Sequence, residues 1–325
     1  MKNISFAITL LTLSVSLVAN TGKELSLTSP DGTHQVVFYQ NQLPSKTNEL
    51  CYKVAFKGKL VIQESRAGLE LDNRIWEMAL GQRNLVQPAS WMDNLEIDSI
   101  SSLPTVDRIW HPLYGERSEI HDRYNAATLH LSKKDGSFYR LNIEVRAYNE
   151  GIAFRYFFPE HPKATFHKVV GDLTEYTFPE GTKAWTEQWA QAFFEHLDIN
   201  DIRRPVERAL TVELPNGTWA ALTDADVDDW CLTKFKASET KKNTLTSVMY
   251  SPVDIVTYYA TPWKIIMAAD KPGELLEQNS IIENLNPPSE IVDAAQWVKP
   301  GKIMRETTVT TEGAIATIDF CAAHN

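Results

Sequence analysis

The chain has 325 residues, of which 43% are hydrophobic and 10% aromatic, so it is long enough to bury a core in one large or two ordinary domains. Its 42 acidic residues against 32 basic ones give a formal net charge of −10, and no Lys/Arg cluster offsets that sign. This balance argues against nucleic acid as a partner and favours a neutral or cationic ligand.

The first twenty residues are typical of a secretory signal. Lys2 precedes an apolar run from about Ile4 to Ala19. A membrane span needs roughly twenty apolar residues, and Ser14 and Ser16 interrupt this shorter run, so we expect no membrane span. The sequence therefore predicts a signal peptide over residues 1–20 and a secreted or periplasmic location.

The chain contains only three cysteines, Cys51, Cys231 and Cys321. An odd and sparse set of this kind supports neither a disulfide framework nor a thiolate metal site. We expect all three to be buried or free thiols.

Turn dipeptides divide the body of the chain into β-hairpins. They are Asp31-Gly32, Asp135-Gly136, Glu150-Gly151 and Asn216-Gly217. Each lies between segments rich in β-forming residues, which is a strong short-range hairpin signal. The stretch "LHLSKKDGSFYRLNIEVRAYNEGIAFRYFF" predicts three successive antiparallel strands, and "LTVELPNGTWAAL" predicts a further hairpin.

Further strands are predicted along the chain, whereas no long helical period precedes residue 311. They cover Leu25 to Leu27, Gln35 to Tyr39, Tyr52 to Phe56, Leu60 to Gln63, Val248 to Tyr250 and Lys264 to Ala268. This pattern predicts a mostly β fold, a large antiparallel sandwich in one domain.

The periodicity changes near the last residues. "WVKPGKIMRETTVTT" predicts a strand after Pro300, and the segment from Thr311, a candidate N-cap, predicts a helix. A strand followed by a helix is the first unit of an alternating α/β architecture, and one such unit cannot bury both its faces alone.

Five segments resemble, in order and spacing, the N-terminal half of glycoside hydrolase family 97. They are "SPDG", "WHPLYGERSEIHDRYNAATLHL", "RAYNEGIAFRYFFP", "TPWKIIMAA" and "AAQWVKPGK". The resemblance implies a β-super-sandwich of the galactose-mutarotase-like type over residues 21–295. It further implies that residues 296–325 are the linker and the first strand and helix of a truncated (β/α)8 catalytic barrel.

The resemblance also implies what the protein would act on. Family members are secreted or periplasmic enzymes that cleave α-glucosides or α-galactosides and use calcium near the active site. "KPGKIMRETTVTTEG" is more similar to the retaining α-galactosidase-type members than to the inverting α-glucosidases. The family's catalytic carboxylates lie on later barrel strands, so no residue of this chain is expected to be catalytic and hydrolysis is not expected from it alone.

The segment "KAWTEQWAQAFFEHLDI" matches the family region that lends a calcium-binding glutamate to the barrel. Its candidate metal ligands are Glu187 and Glu195, and the resemblance does not decide between them; either can equally be an ordinary loop carboxylate. Trp185 and Trp189, with Phe193 and Phe194, are candidates for a surface that stacks on the sugar rings of an α-linked oligosaccharide. The alternative is that these aromatics plug the sandwich or bury the interface with the barrel.

Two other segments contain residues of the types found in catalytic or metal sites. In "WHPLYGERSEIHDRYN", His111 is either an acid/base group of a mutarotase-type aldose epimerase or a satisfied histidine in a structural hairpin. "DADVDD", from Asp224 to Asp229, fails the spacing of a calcium loop, and we interpret it as a solvated acidic turn.

The sequence thus predicts the non-catalytic N-terminal part of a family 97 α-glycosidase, which shapes the substrate entrance and contributes to a calcium site. The alternatives are a stand-alone carbohydrate-binding module and a mutarotase-type enzyme.

Overall fold

A computed structural model describes residues 23–42, 48–72, 95–134, 139–160, 166–291 and 293–324. The predicted signal peptide and the Asp135-Gly136 turn lie outside these residues. Most of the regular structure is antiparallel β. The strands are β1 Leu25–Thr28, β2 His34–Gln42, β3 Asn48–Phe56, β4 Lys59–Arg66, β5 Leu69–Leu71, β6 Leu95–Trp110, β7 Ile120–Lys133, β8 Arg140–Tyr148, β9 Gly151–Phe158, β10 Phe166–Asp172, β11 Glu175–Thr177, β12 Lys183–Thr186, β13 Glu195–Asp198, β14 Leu210–Glu213, β15 Trp219–Ala225, β16 Thr233–Ala237, β17 Thr244–Met249, β18 Val253–Val256, β19 Tyr259–Ala260 and β20 Trp263–Ala269.

The described helices are few and come mainly after the strands. A single 3-10 turn covers Ile199–Asp201. The α-helices are α1 Pro272–Glu277, α2 Ser280–Leu285, α3 Ala294–Trp297 and α4 Thr311–His324. None of the helices in the described ranges is long and apolar enough to cross a membrane.

A ten-stranded sheet dominates the fold. Its order is β13-β12-β14-β15-β20-β9-β8-β7-β6, with β19 paired to β9, and three smaller sheets of four, three and three strands accompany it. The predicted hairpins are confirmed, since β7, β8 and β9 pair in succession and β14 pairs with β15. Gly217 has a φ of 82°, which a glycine adopts without strain, and Asn216 Oδ1 accepts the Thr218 amide at 3.0 Å to close that turn.

The core lies between the large sheet and the smaller ones, because apolar side chains alternate with polar ones along the strands. Phe154 of the large sheet packs against Phe38 and Tyr52 of the four-stranded sheet, with ring centroids 5.3 and 5.1 Å apart. All three side chains are fully buried. Burial of an aromatic side chain of this size stabilises the fold by roughly 2–3 kcal/mol.

The other face of the large sheet, which we call the outer face, is divided into two halves. Helices α1 and α2 cover one half, where Leu275, Ile281 and Leu285 pack with Trp263 and Tyr124. In the half towards β6, the outward positions of β7 and β8 are polar and partly exposed.

The sandwich interior contains charged groups that are paired. Lys264 and Asp172 form an ion pair in which the side chains are 9% and 1% exposed. Asp224 lies opposite Lys264 in the strand register and pairs with Arg208. Burial opposes the charge on Lys264, but the two carboxylates raise the pKa of its amine above the ordinary value.

The acidic segment from Asp224 is therefore only partly the solvated turn that the sequence predicted. Asp224 is partly buried in its pair with Arg208, and Asp226 bonds Arg155 at 3.1 Å. Asp228 and Asp229 are exposed. The prediction was wrong for the first two because arginines distant in sequence reach them across neighbouring strands.

His34 is a buried histidine that is held neutral. Its Nε2 donates to the Ala268 carbonyl at 3.2 Å and the ring is fully buried. Burial lowers the pKa of His34 to about 4, although this hydrogen bond and the Asp31 carboxylate act in the opposite direction.

The three cysteines are free, as expected, and differ in exposure. Cys51 is buried, Cys231 is intermediate and Cys321 is exposed on α4. Burial raises the pKa of the Cys51 thiol to about 12.

The strand predicted after Pro300 is not formed, whereas the helix that follows it is present as α4. No described strand lies beside this segment to take its backbone hydrogen bonds. Instead, Glu306 accepts the amides of Thr308 and Val309 at 2.6 and 2.8 Å, which turns the chain.

The N-cap of α4 is Thr310 rather than Thr311, because Thr310 Oγ1 accepts the Gly313 amide at 3.1 Å. None of the described residues of α4 is buried.

Candidate functional site

The candidate site is an aromatic hairpin at one edge of the large sheet, formed by β12, residues 187–194 and β13. β13 is the edge strand and β12 pairs with both β13 and β14. Along β12 the side chains alternate, so that Ala184 and Thr186 point into the core while Lys183 and Trp185 are exposed. The alternation therefore places Trp185 on the surface.

Four large aromatic side chains of the aromatic hairpin are exposed. Trp185, Trp189, Phe193 and Phe194 are 43%, 58%, 94% and 66% exposed. Large exposed apolar side chains concentrated in one short segment are uncommon on a soluble protein and indicate an interaction site. The sequence predicts all four as candidates for sugar stacking or for an interface.

The Trp185 ring is held by its neighbour across the strands. It stacks on His196 with centroids 4.4 Å apart and an interplanar angle of 13°. His196 Nε2 lies 3.2 Å from Glu213 Oε2, which ties the imidazole to β14. Trp185 is therefore oriented before any partner arrives.

The base of the aromatic hairpin is held by groups that the sequence did not single out. The Lys234 amine donates to the Gln188 carbonyl at 2.8 Å and pairs with Glu207 at 2.7 Å. The Glu207 amide donates in turn to the Glu187 carbonyl at 2.9 Å. These contacts fix the start of the connection between β12 and β13. Among the described residues, the tip of the connection has only the local bond from the Ala192 amide to the Trp189 carbonyl, 2.8 Å.

The two candidate calcium ligands lie close together along the aromatic hairpin. Thr186 and Glu195 are cross-strand partners, and Glu187 directly follows Thr186. Glu187 is half-buried and Glu195 is exposed. Calcium takes roughly six to eight oxygen ligands. Within the described ranges no group of three or more His, Cys, Asp or Glu side chains is arranged to hold a metal, so the two glutamates can supply only part of such a site.

His111, the mutarotase candidate, has a structural contact. Its Nδ1 lies 3.0 Å from the Ser118 carbonyl across the loop between β6 and β7. No carboxylate of the described residues contacts His111. The neighbouring histidine and arginine, His121 and Arg123, share Asp107 at 2.7 and 3.2 Å.

The hairpin of β6 and β7, which carries His111, is hydrogen-bonded to the helices that cover the outer face. Trp110 Nε1 donates to Asn284 Oδ1 at 2.8 Å, and the Asn284 amide donates to the His121 carbonyl at 3.0 Å. The arrangement is that of a structural hairpin.

The packed antiparallel sheets define a β-sandwich domain, and comparison with known proteins gives its family. A family profile described as "Glycosyl-hydrolase 97 N-terminal" matches residues 27–288. The chain belongs to glycoside hydrolase family 97.

Relatives of known activity and structure are similar along most of the chain. A retaining alpha-galactosidase of Bacteroides thetaiotaomicron is 25% identical over 344 aligned positions, which cover 93% of this chain and 46% of that enzyme. A family 97 enzyme from Pseudoalteromonas sp. strain K8, solved in complex with panose and also with acarbose, superposes with a TM-score of 0.77 at 20% identity. That match covers 92% of this chain and 46% of the other.

A more distant structure, a beta-arabinopyranosidase, has a TM-score of 0.63 at 19% identity and covers 76% of this chain and 40% of its own. These solved structures establish the fold. The chain spans about half the length of the relatives it matches.

Proposed function

We propose that this chain is the non-catalytic N-terminal part of an α-glycosidase, in which the aromatic hairpin covers the edge of a (β/α)8 catalytic barrel and shapes the entrance for an α-linked oligosaccharide. The observation that carries the proposal is the exposure of Trp189, Phe193 and Phe194 on a hairpin whose base is fixed. A barrel packed on them would remove this apolar surface from water.

The proposal includes a calcium ion at the junction between the two domains. Glu187 or Glu195 would supply one carboxylate, and the barrel would supply the remaining oxygens. When bound, the ion would hold the aromatic hairpin against the substrate entrance by its charge. The preferred substrate of the complete enzyme would be an α-galactoside, because the similar enzyme of known activity is an alpha-galactosidase.

The proposal further includes export by the predicted signal peptide. N-terminal sequencing of the mature protein from the periplasm or the medium tests it. A start near residue 21 supports export, and an intact Met1 in the cytoplasm contradicts it.

The main test is the reading frame beyond codon 325 together with an assay of the chain itself. We expect the frame to continue into strand-helix repeats with carboxylates at strand ends. We expect the 325-residue chain to release no more p-nitrophenol from p-nitrophenyl α-galactoside than buffer does. Hydrolysis at an enzyme-like rate by this chain would overturn the non-catalytic assignment.

A second function, direct carbohydrate binding, is favoured by the orientation of Trp185 on His196. Calorimetry with α-linked oligosaccharides would then show saturable binding that weakens in Trp185→Ala and in Trp189→Ala. If no α-glycan gave a heat of binding, only the interface role of the aromatic hairpin would remain.

A further inference from the structure

The half of the outer face that helices α1 and α2 leave uncovered contains a groove. Its volume is about 630 Å³, and its walls include Ser99, His130, Lys134, Arg140 and Asn142 from β6, β7, β8 and the residue after β7. Small-molecule sites have volumes of about 300–1,000 Å³. The sheet order places the groove near the β6 edge, whereas the aromatic hairpin forms the opposite edge.

Three side chains from neighbouring strands form a hydrogen-bonded row, of which His130 and Asn142 line the groove and Ser101 extends the row beyond its lining. Asn142 Oδ1 lies 3.2 Å from His130 Nδ1, and His130 Nε2 lies 2.8 Å from Ser101 Oγ. With Asn142 Oδ1 facing a neutral imidazole, Nδ1 carries the ring proton because an amide oxygen can only accept, and Nε2 then accepts from the Ser101 hydroxyl.

This row leaves a fixed pattern of unused hydrogen-bonding capacity. Ser101 Oγ, having donated its proton, can only accept, and the Asn142 amide nitrogen can only donate. Each hydroxyl of a sugar can both donate and accept a hydrogen bond. The acceptor at one end of the row and the donor at the other are therefore complementary to sugar hydroxyls. The row therefore favours a polyhydroxylated ligand.

The charge of the groove is opposite to that of the whole chain. Lys134 and Arg140 line it together with a single carboxylate, Asp98, in a protein of formal net charge −10. Lys133 is also part of the wall, but its side chain is buried on the core-facing side of β7. Lys134 is paired with Asp98 at 2.7 Å. Arg140 pairs with Ser132 through the backbone, whereas its exposed side chain makes no ion pair or hydrogen bond within the part of the chain that the structure describes. A guanidinium is suited to bind a carboxylate through two parallel hydrogen bonds.

We propose that this groove is a second saccharide site and that it takes an acidic saccharide, with Arg140 binding a uronic acid carboxylate and the Ser101–His130–Asn142 row binding hydroxyls. The site is separate from the aromatic hairpin. It would let the protein hold an anionic polysaccharide while another part of the molecule engages the α-glycoside.

Calorimetry of the 325-residue chain with trigalacturonate tests the proposal, with maltotriose and citrate as comparison ligands. We expect saturable binding of trigalacturonate that weakens as NaCl is raised, because charge attraction in an open groove is screened. We expect binding of maltotriose and citrate to be at least tenfold weaker. Equal binding of citrate would reduce the groove to a general anion site, and absence of trigalacturonate binding would overturn the proposal.

Two variants and one matched control locate the site. Arg140→Gln should weaken trigalacturonate binding at least tenfold. Asn142→Asp should do the same, because it replaces the side-chain amide donor by a carboxylate oxygen that repels the anionic ligand. Lys236→Gln removes the same charge from β16, in a different sheet, and should leave the affinity unchanged. Unchanged binding in folded Arg140→Gln, checked by its melting temperature, would contradict the assignment.

Discussion

The aromatic side chains of the sandwich interior and those of the aromatic hairpin are the same residue types in opposite surroundings. Phe154 and Tyr52 are fully buried and pack on one another at 5.1 Å. Phe193 is 94% exposed, and the structure shows no ring contact to it within the described residues. The interior aromatics therefore contribute to the stability of the fold, whereas those of the aromatic hairpin expose apolar surface to water.

The largest effect is expected from shortening an interior ring. Phe154→Ala should lower the free energy of unfolding by about 4 kcal/mol, because it removes the packing with Phe38 and Tyr52 and leaves a cavity. Urea denaturation followed by circular dichroism measures it. A loss below about 1 kcal/mol would mean that the interior is not packed as described.

The interior ion pair should come next. Asp172→Asn leaves the Lys264 charge buried without its partner and should cost about 3 kcal/mol. The matched control is Glu239→Gln, which breaks the exposed pair with Lys236 and should give no measurable change. Equal behaviour of the two variants would show that burial does not distinguish the pairs.

The buried His34 predicts loss of stability in acid. Its pKa is about 4 in the folded chain, against an ordinary value of 6.5. The unfolded chain binds the proton of this histidine more tightly than the folded chain does. The free energy of unfolding is therefore at its full value above about pH 6.5 and decreases as the pH falls towards 4. The decrease due to His34 is about 3 kcal/mol.

Urea denaturation of the wild-type chain between pH 7 and 4 measures this slope. His34→Gln keeps a hydrogen-bond donor but does not titrate, so its pH dependence should be flatter by that amount. An identical slope in the two proteins would show that other groups cause the acid loss.

The smallest effect on stability is expected at the aromatic hairpin. Phe193→Ser should change the free energy of unfolding by no more than about 0.5 kcal/mol, because the ring is almost wholly exposed. The same variant should reduce self-association of the isolated chain in sedimentation velocity. A large destabilisation would show that the ring belongs to the interior and would weaken the proposed interface.

The sequence was sufficient to predict the sheet body, because period-two alternation and turn dipeptides are local signals. The alternation of Leu141, Ile143 and Val145 with polar neighbours is observed in β8 as successive buried and half-buried positions. The helix from Thr311 was also predicted from local pattern.

The failures concern contacts between residues distant in sequence. The pairing of Asp224 with Arg208 needs the arrangement of neighbouring strands, which single-sequence patterns do not contain. The predicted strand after Pro300 has high β propensity but no neighbouring strand among the described residues, and Glu306 turns it instead.

The candidate site was predictable in composition but not in geometry. The run from Trp185 to Glu195 was found by resemblance and by its aromatic content. Its support by Lys234 and the stacking of Trp185 on His196 depend on strand register. The row of Ser101, His130 and Asn142 was missed for the same reason, although each side chain occupies a regular outward position of its strand.

The contrast between the buried Cys51 and the exposed Cys321 makes the chain selectively labelable. A maleimide reacts with thiolate, so at neutral pH the protected Cys51, with its pKa near 12, should remain unmodified while Cys321 on α4 is labelled. After Cys231→Ser, a fluorophore would occupy one known position on the helix beyond the sandwich. Its anisotropy would then report directly when α4 acquires a neighbour.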